Sequence, residues 1–429
     1  MSAALEQRIA AEHAVMMERF GPALTPTDPR REALQALLAR GLPTARQENW
    51  RYTNLRPLEK ATFVPTAAPG TIAADLLPPA VEGHARLVYV DGLPAPELWA
   101  DLERHPGISV ATLTRASSAA EDEEHGWTAQ DGEQFALLNA AFAPVCSRLA
   151  LDPDTTAGIE ILYLHTSPAG YPRLNVQVGR QARLSLIERH LGAPGSAGLI
   201  DTAVRVELRD GAVLDHYRLQ QAGGGATWLD TLSARIGRDA AYHLYAVQLG
   251  ALSARSTAHI GLTASGAAVS VNAVSLADGR QVHDSLVVVD HQAPHTRTEE
   301  NFRGIAGGRS RLAFNGKVNV RAAARGADSA QSLRGLIAGP EAEIDLRPTL
   351  EINTDEVRAS HGATTGKLDE NMLFYLLSRG LAPEQAQRLL KWAFITDTVA
   401  RIGMPELRRQ VQRSLVNHMQ DAGALKELL

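Results

Sequence analysis

One cysteine, Cys146, stands alone among 429 residues. A lone thiol excludes an internal disulfide, and it excludes a zinc or iron–sulfur site built from several cysteines of this chain. Any metal chemistry here must borrow ligands from elsewhere. Aromatic residues are scarce at 5%, whereas apolar residues make up 45%. The core is therefore assembled mainly from Ala, Val, Leu and Ile, which suits closely stacked layers and not a ring-lined carbohydrate groove. Charge of one sign is also lacking: 43 Lys and Arg against 48 Asp and Glu leave a net charge of −5. Without a long basic run, electrostatic binding of nucleic acid is disfavoured. No segment offers about 18 uninterrupted apolar residues. The opening residues carry Glu6, Arg8 and Glu12 in place of an apolar export segment. A soluble, cytoplasmic protein with no membrane contact is expected. The motifs G-x-S-x-G, H-E-x-x-H and C-x-x-C are missing, and Cys146 has no neighbouring histidine. Catalysis within the chain has little support, and Cys146 reads as a buried small apolar residue.

The length exceeds one typical domain, so a large elongated core or two to three domains is expected. Leu5, Ile9, His13, Met16 and Phe20 recur at helical spacing. A second helix is punctuated by Asp28 as N-cap, Pro29 at the first position and Gly41 at the end. The Pro- and Ala-rich stretch 65–80 reads as a linker. Strands begin with RLVYV at Arg86–Val90 and ISVATL from Ile108, and a short helix is expected near 131–143. From Ile159 to Ile352 short β-rich runs follow one another with no helix-length apolar pattern. Turn signals at Asp210-Gly211, Arg238-Asp239 and Ser265-Gly266 are spaced by roughly 28 residues. A sandwich would use up its strands within about 100 residues. A parallel β-helix absorbs fifteen or more without strain, its ends capped by the flanking helical segments. The C-terminal part is helical again. Asp369 caps a helix carrying Leu373, Phe374, Leu376 and Leu377; Pro383 starts one carrying Leu389, Leu390 and Phe394; a last helix runs from Pro405. These helices either cap the solenoid or dock a partner protein.

Three segments invite chemistry. Gly362-Ala363-Thr364-Thr365-Gly366-Lys367-Leu368 resembles a phosphate loop but has three residues between its glycines and Leu368 after the lysine, so nucleotide binding is rejected. Any ATP dependence would belong to another subunit. His283, Asp284, Asp290, His291 and His295 lie close together in sequence and could hold a metal if three or four converged. Alternate strand residues face opposite sides, however, so His283 and Asp284 cannot both point inward; solvated turn and strand-surface positions are expected for this group. His361 sits at the junction between the last coil and the C-terminal helices, where a partner could meet it, and neutral imidazole is a competent iron ligand.

The stretch ASHGATTGKLDENMLFYLLSRGL from Ala359 to Leu381 resembles the signature of the SufB/SufD family of iron–sulfur cluster assembly proteins. So do LNAAFA from Leu138, DHQAPHT from Asp290, FNGKVNV from Phe314, GADSAQS from Gly326, PTLEI from Pro348 and GLPTARQENWRYTNL from Gly41. The SHG triplet and the N-terminal element lie nearer the SufD branch. The resemblance implies a mainly β fold: a right-handed parallel β-helix core over 81–365, an N-terminal helical domain over 1–80 and a C-terminal helical domain over 366–429. It further implies a non-catalytic scaffold that pairs with a SufB-like subunit through the β-helices and docks a SufC-like ABC-type ATPase on the C-terminal helices. On that resemblance Leu373, Phe374, Leu377, Leu390 and Phe394 are the docking residues, and His361 is a metal ligand shared with the partner. No cofactor is held stably by this chain alone, a transient iron–sulfur cluster at the subunit interface is expected, and a homodimer in isolation is allowed. Ala359 stands where many family members carry cysteine, so that thiol has no role here, and GADSAQS departs from the usual Thr-Asp-Ala element. The remaining alternatives are a SufB-like or homodimeric cluster scaffold and, more remotely, a polysaccharide-active β-helix enzyme.

Overall fold

The computed structural model describes residues 3–20, 28–68, 70, 72, 76–113, 133–193 and 195–419. Its centre is a parallel β-helix of about eight turns. Each turn contributes one strand to each of two facing sheets. One sheet runs from Leu93–Pro94 and Ala85–Val90 through Thr156–His165 and Arg183–Gly192 to Val357–Gly366, and the other from Ile108–Leu113 through Cys146–Leu151 and Arg173–Val178 to Glu343–Ile352.

The repeat is enforced at one corner. Asp154, Gln181, Gly211, Asp239, Gly266, His295 and Gly326 all adopt positive φ, and each marks the turn from the second sheet to the first. Their backbones form a ladder: Asp154 N–H donates to the Arg180 carbonyl, Gln181 to Asp210, Gly211 to Arg238, Asp239 to Ser265, Gly266 to Pro294, His295 to Arg325 and Gly326 to Glu356. The turn spacing anticipated at Asp210-Gly211, Arg238-Asp239 and Ser265-Gly266 is thus the coil repeat itself. Glycine, aspartate and histidine recur there because they tolerate the left-handed region best.

Inside, alternate residues stack coil on coil. Leu184 and Leu186, Leu214, Tyr242 and Leu244, then Val269 and Val271 line one wall; Val204 and Val206, Leu232 and Ala234, then Ala258 and Ile260 line the other. Burying each large aliphatic side chain contributes about 1.5–3 kcal/mol. Cys146, the first residue of the strand Cys146–Leu151, is fully buried.

The flanking helices do not cap the solenoid as expected. Ala3–Phe20, Pro29–Arg40 and Glu133–Phe142 pack on the outer face of the second sheet through Phe142, Tyr171, Leu199 and Leu229. Asp28 accepts the Arg30 N–H as N-cap, Pro29 opens the helix and Gly41 closes it. Pro383–Ala400 and Pro405–His418 pack on the outer face of the first sheet, where Ile395, Val399, Leu407 and Val411 meet Tyr217, Leu219, Val274 and Ile305. The physical reason is that parallel strands buried on both faces need apolar cover outside as well as within. The helices supply cover along the flanks, not at the ends. Residues 131 and 132 of the expected short helix, and 69, 71 and 73–75 of the expected linker, lie outside the described residues.

The two ends differ. At the N-terminal end, Leu93–Pro94 and Ile108–Leu113 pair antiparallel with the outermost strands, and Trp99, Leu102, Ile108 and Val110 cover the lumen core. At the other end Glu343–Ile352 and Val357–Gly366 each pair on one side only among the described strands. The final coil is open. Gly362–Gly366, which resembled a phosphate loop, is the end of this last strand.

Candidate functional site at the open end of the solenoid

His361 lies on the final strand with its side chain exposed. Its register places it directly over Gln331, which in turn lies over Glu300. Ala327 and Leu333 belong to the lumen core, so Ser329 and Gln331 between them face inward, and the same alternation puts Val357, Ala359 and His361 on the lumen side. His361 therefore stands at the mouth of the solenoid, above an inward column of Gln331 and Glu300. Ile344, Leu346, Leu350 and Val357 form a half-covered apolar floor around it, and Ile352 is 41% exposed.

The column is polar and buried. Gln331 Nε2 donates to Glu300 Oε2 at 2.8 Å and to the Gly316 carbonyl at 3.0 Å. Glu300 is 1% exposed and Gln331 4%. Burial raises the Glu300 pKa to about 7, against the opposing pull of the Gln331 hydrogen bond. In the same coil Phe302 and Phe314 stack with ring centroids 4.2 Å apart.

The five clustered His and Asp residues are not brought together, and they are not the solvated surface group the sequence suggested. His283 is buried and shares hydrogen bonds with Ser275 Oγ and the Gly250 carbonyl. Asp284, on the opposite face, accepts from Arg255 at 2.7 Å and from Thr53. Asp290 pairs with Arg321, and His291 is held between Thr296 and Thr298. Only His295 is exposed, in a turn. No group of three or more His, Cys, Asp or Glu suited to a metal occurs among the described residues.

A second polar cluster was not anticipated. Mid-lumen, Glu188 accepts from Arg218 at 2.8 Å and contacts His190 and His216, while Arg218 also donates to Asp230. Burial alone would raise the Glu188 pKa, but Arg218, His190 and His216 together hold it well below the usual carboxylate range. Glu188, Glu300 and Gln331 sit at inward positions next to lumen residues such as Leu186, Phe302 and Leu333. The only sequence signal was a polar residue where the alternation calls for an apolar one.

The C-terminal helices present a separate surface. Asp369 caps Glu370–Ser378 by accepting from the Asn371 and Met372 N–H groups. On that helix Phe374 is 73% exposed, with Met372, Tyr375 and Leu377 also exposed. Leu373 and Leu390 are half-buried, and Phe394 packs partly against the sheet with Trp392. The docking set anticipated from the sequence thus divides into an exposed pair, Phe374 and Leu377, and three residues turned toward the body. Among the described residues no helix is long and apolar enough to cross a membrane.

Comparison with known proteins places this architecture. Residues 163–394, from the strand Thr156–His165 into the helix Pro383–Ala400, match the family described as the SUF system FeS cluster assembly, SufBD core domain. The chain is 26% identical to the iron–sulfur cluster assembly protein SufD of Escherichia coli over 88% of this chain and 89% of that protein. It is 28% identical to an iron–sulfur cluster assembly SufBD family protein of Synechocystis over 90% and 89% of the two chains. A SufBD family protein of Mycobacterium tuberculosis is 25% identical over 88% and 90%. A parallel β-helix with an open final coil, matched in sequence across more than half its length, belongs to the SufBD core family of iron–sulfur cluster assembly proteins.

Proposed function

We propose that this chain is the SufD-type subunit of a cytoplasmic assembly with a SufB-like subunit and a SufC-like ABC-type ATPase, and that it serves as a scaffold without catalysing a reaction itself. The observation that carries this reading is His361 at an uncapped mouth bordered by two unpaired strand edges. Free edges accept a partner's strands by main-chain hydrogen bonding, and the apolar floor provides area for a stable contact. Cys146 is fully buried, so sulfur ligands for a nascent cluster would come from the partner, with His361 as this chain's contribution. The cluster is cargo at the shared face, and this chain alone would hold none stably. Phe374 and Leu377, large apolar side chains left in solvent, suit docking of the ATPase subunit. The test is His361→Ala in the co-expressed complex. Cluster yield should fall while all three subunits still co-purify; an unchanged yield would remove His361 from the mechanism.

The same free edges favour one second reading, a SufB-like or homodimeric scaffold in which two copies meet mouth to mouth. Anaerobic reconstitution of the isolated chain separates the two. A stable visible chromophore with bound iron would support the second reading, and none is expected.

A further inference from the structure

The last step of the solenoid is fastened differently from the steps before it. No residue of Glu343–Ile352 or Val357–Gly366 is fully buried, and the inward Ile344, Leu346, Leu350 and Val357 are only half-covered. Apolar stacking therefore contributes less here than in the middle coils. Charge takes its place. Along the second sheet Arg311 pairs with Glu343 at 3.3 Å and with Asp345 at 3.1 Å, and Lys317 pairs with Glu351 at 2.7 Å. On the first sheet Arg358 pairs with Asp328, its register partner, at 3.2 Å. In the turns Arg309 meets Glu341 at 2.9 Å and Arg325 meets Glu356 at 3.8 Å. Six ion pairs thus tie the final coil to the one beneath it, whereas one step deeper a single pair, Arg321 with Asp290, joins neighbouring coils among the described residues. Glu48 of the N-terminal region adds a further tie, to Arg347.

Ion pairs in contact with solvent are individually weak, and salt screens them. A coil held mainly by such pairs opens more easily than one held by buried side chains, and the ease of opening depends on ionic strength. We propose that the final coil, 341–366, is a salt-sensitive unit of local opening that separates from the coil beneath while the rest of the solenoid stays folded. Covering the mouth fastens it, because a partner's strands would pair the free edges and bury the half-covered floor. His361 lies on this coil, so its place is firm only while the coil is closed. The opening is a property of the isolated chain and does not depend on which protein covers the mouth.

The test is amide hydrogen exchange of the isolated full chain, read by mass spectrometry in about 0.1 M and about 1 M sodium chloride, between which the screening length falls from roughly 10 Å to roughly 3 Å. Amides of 343–366 should exchange about tenfold faster at the higher salt, while Arg183–Gly192 and Gly225–Ile236 stay unchanged. Arg311→Gln with Lys317→Gln removes three of the six pairs; it should speed exchange of the same segment at the lower salt and shrink its response to salt. Arg321→Gln removes the deeper pair and should do neither. Circular dichroism and cooperative melting establish that each variant is folded. Exchange of 343–366 as slow as that of the interior strands at both salts would overturn the inference, as would fast exchange with no response to salt, the mark of an edge that frays for want of cover alone. The co-expressed complex gives a separate readout. If the isolated coil opens with salt but the complex adds no protection to 343–366, the opening stands and the reading of the mouth as the subunit contact falls.

Discussion

Glu300 and the buried histidines pull the pH dependence of stability in opposite directions. The Glu300 pKa is raised by burial to about 7 in the folded chain, from an ordinary 4.5. A raised carboxyl is a group whose ionisation opposes folding: its penalty is absent below the unfolded value and grows as pH rises from about 4.5 to 7. That shift corresponds to an order of about 3 kcal/mol. Glu300→Gln is expected to match wild type in urea melts at pH 5 and exceed it by up to about 3 kcal/mol at pH 8. Equal stability at both pH values would contradict the burial argument. His283 and His291 are lowered by burial to about 4. Their contribution is present above 6.5 and is lost as pH falls through 4, so His291→Gln should flatten the acid limb of the stability curve. Cys146, fully buried, should react with an aromatic disulfide reagent only after unfolding; stoichiometric labelling of the native chain would contradict its placement. At this scale the sequence was uneven as a guide. The burial of Cys146 followed from the absence of a partner residue, and His361 stood out by position and resemblance. Glu300 and Gln331 did not, because register across coils, about 30 residues apart in sequence, is what brings them together.

The strands most easily seen in the sequence were those with apolar residues on both faces, such as Ala268–Ala277 and Val282–His291. Gly225–Ile236, Arg297–Ala306 and Val357–Gly366 carry a weaker apolar pattern. The first two carry Asp230, Glu300 and other polar residues at inward positions, and the last is exposed along nearly all its length. Each is specified by pairing with its neighbours more than by its own composition. The turns were more legible, since a left-handed corner narrows the choice of residue. Gly326 has φ +69°, and a Cβ there would lie 2.6 Å from His295 Nδ1. Gly326→Val is expected to cost about 1–2 kcal/mol or more, read from chemical denaturation. The helix Glu370–Ser378 should behave differently. Phe374→Ser with Leu377→Ser removes exposed side chains, so stability should stay within about 0.5 kcal/mol of wild type. Retention of the ABC-type ATPase in co-purification should nevertheless be lost. A variant pair that still retained the ATPase would move the docking surface elsewhere.

At the scale of the molecule, the β-helix and its flanking helices were legible from turn spacing and from the change of texture on either side of the core. The position of the helices was not, because sequence shows that an apolar stripe must be covered without showing which surface covers it. The outcome is a solenoid walled on its sides, closed at the N-terminal end and open at the other. Ile352→Lys places a charge in the floor of the mouth at an exposed position. It should weaken association with the SufB-like subunit in light scattering while leaving the melting transition nearly unchanged; undiminished association would show that the mouth is not the contact. The difference between the two ends also governs polymerisation. A solenoid with two free ends can add copies head to tail without limit, since nothing in such a contact closes on itself. Here the antiparallel strands Leu93–Pro94 and Ile108–Leu113 occupy the outermost edges of the N-terminal end. The parallel coil-on-coil pairing that a mouth could extend therefore has no matching edge at that end, and head-to-tail stacking in coil register is opposed by strand direction alone.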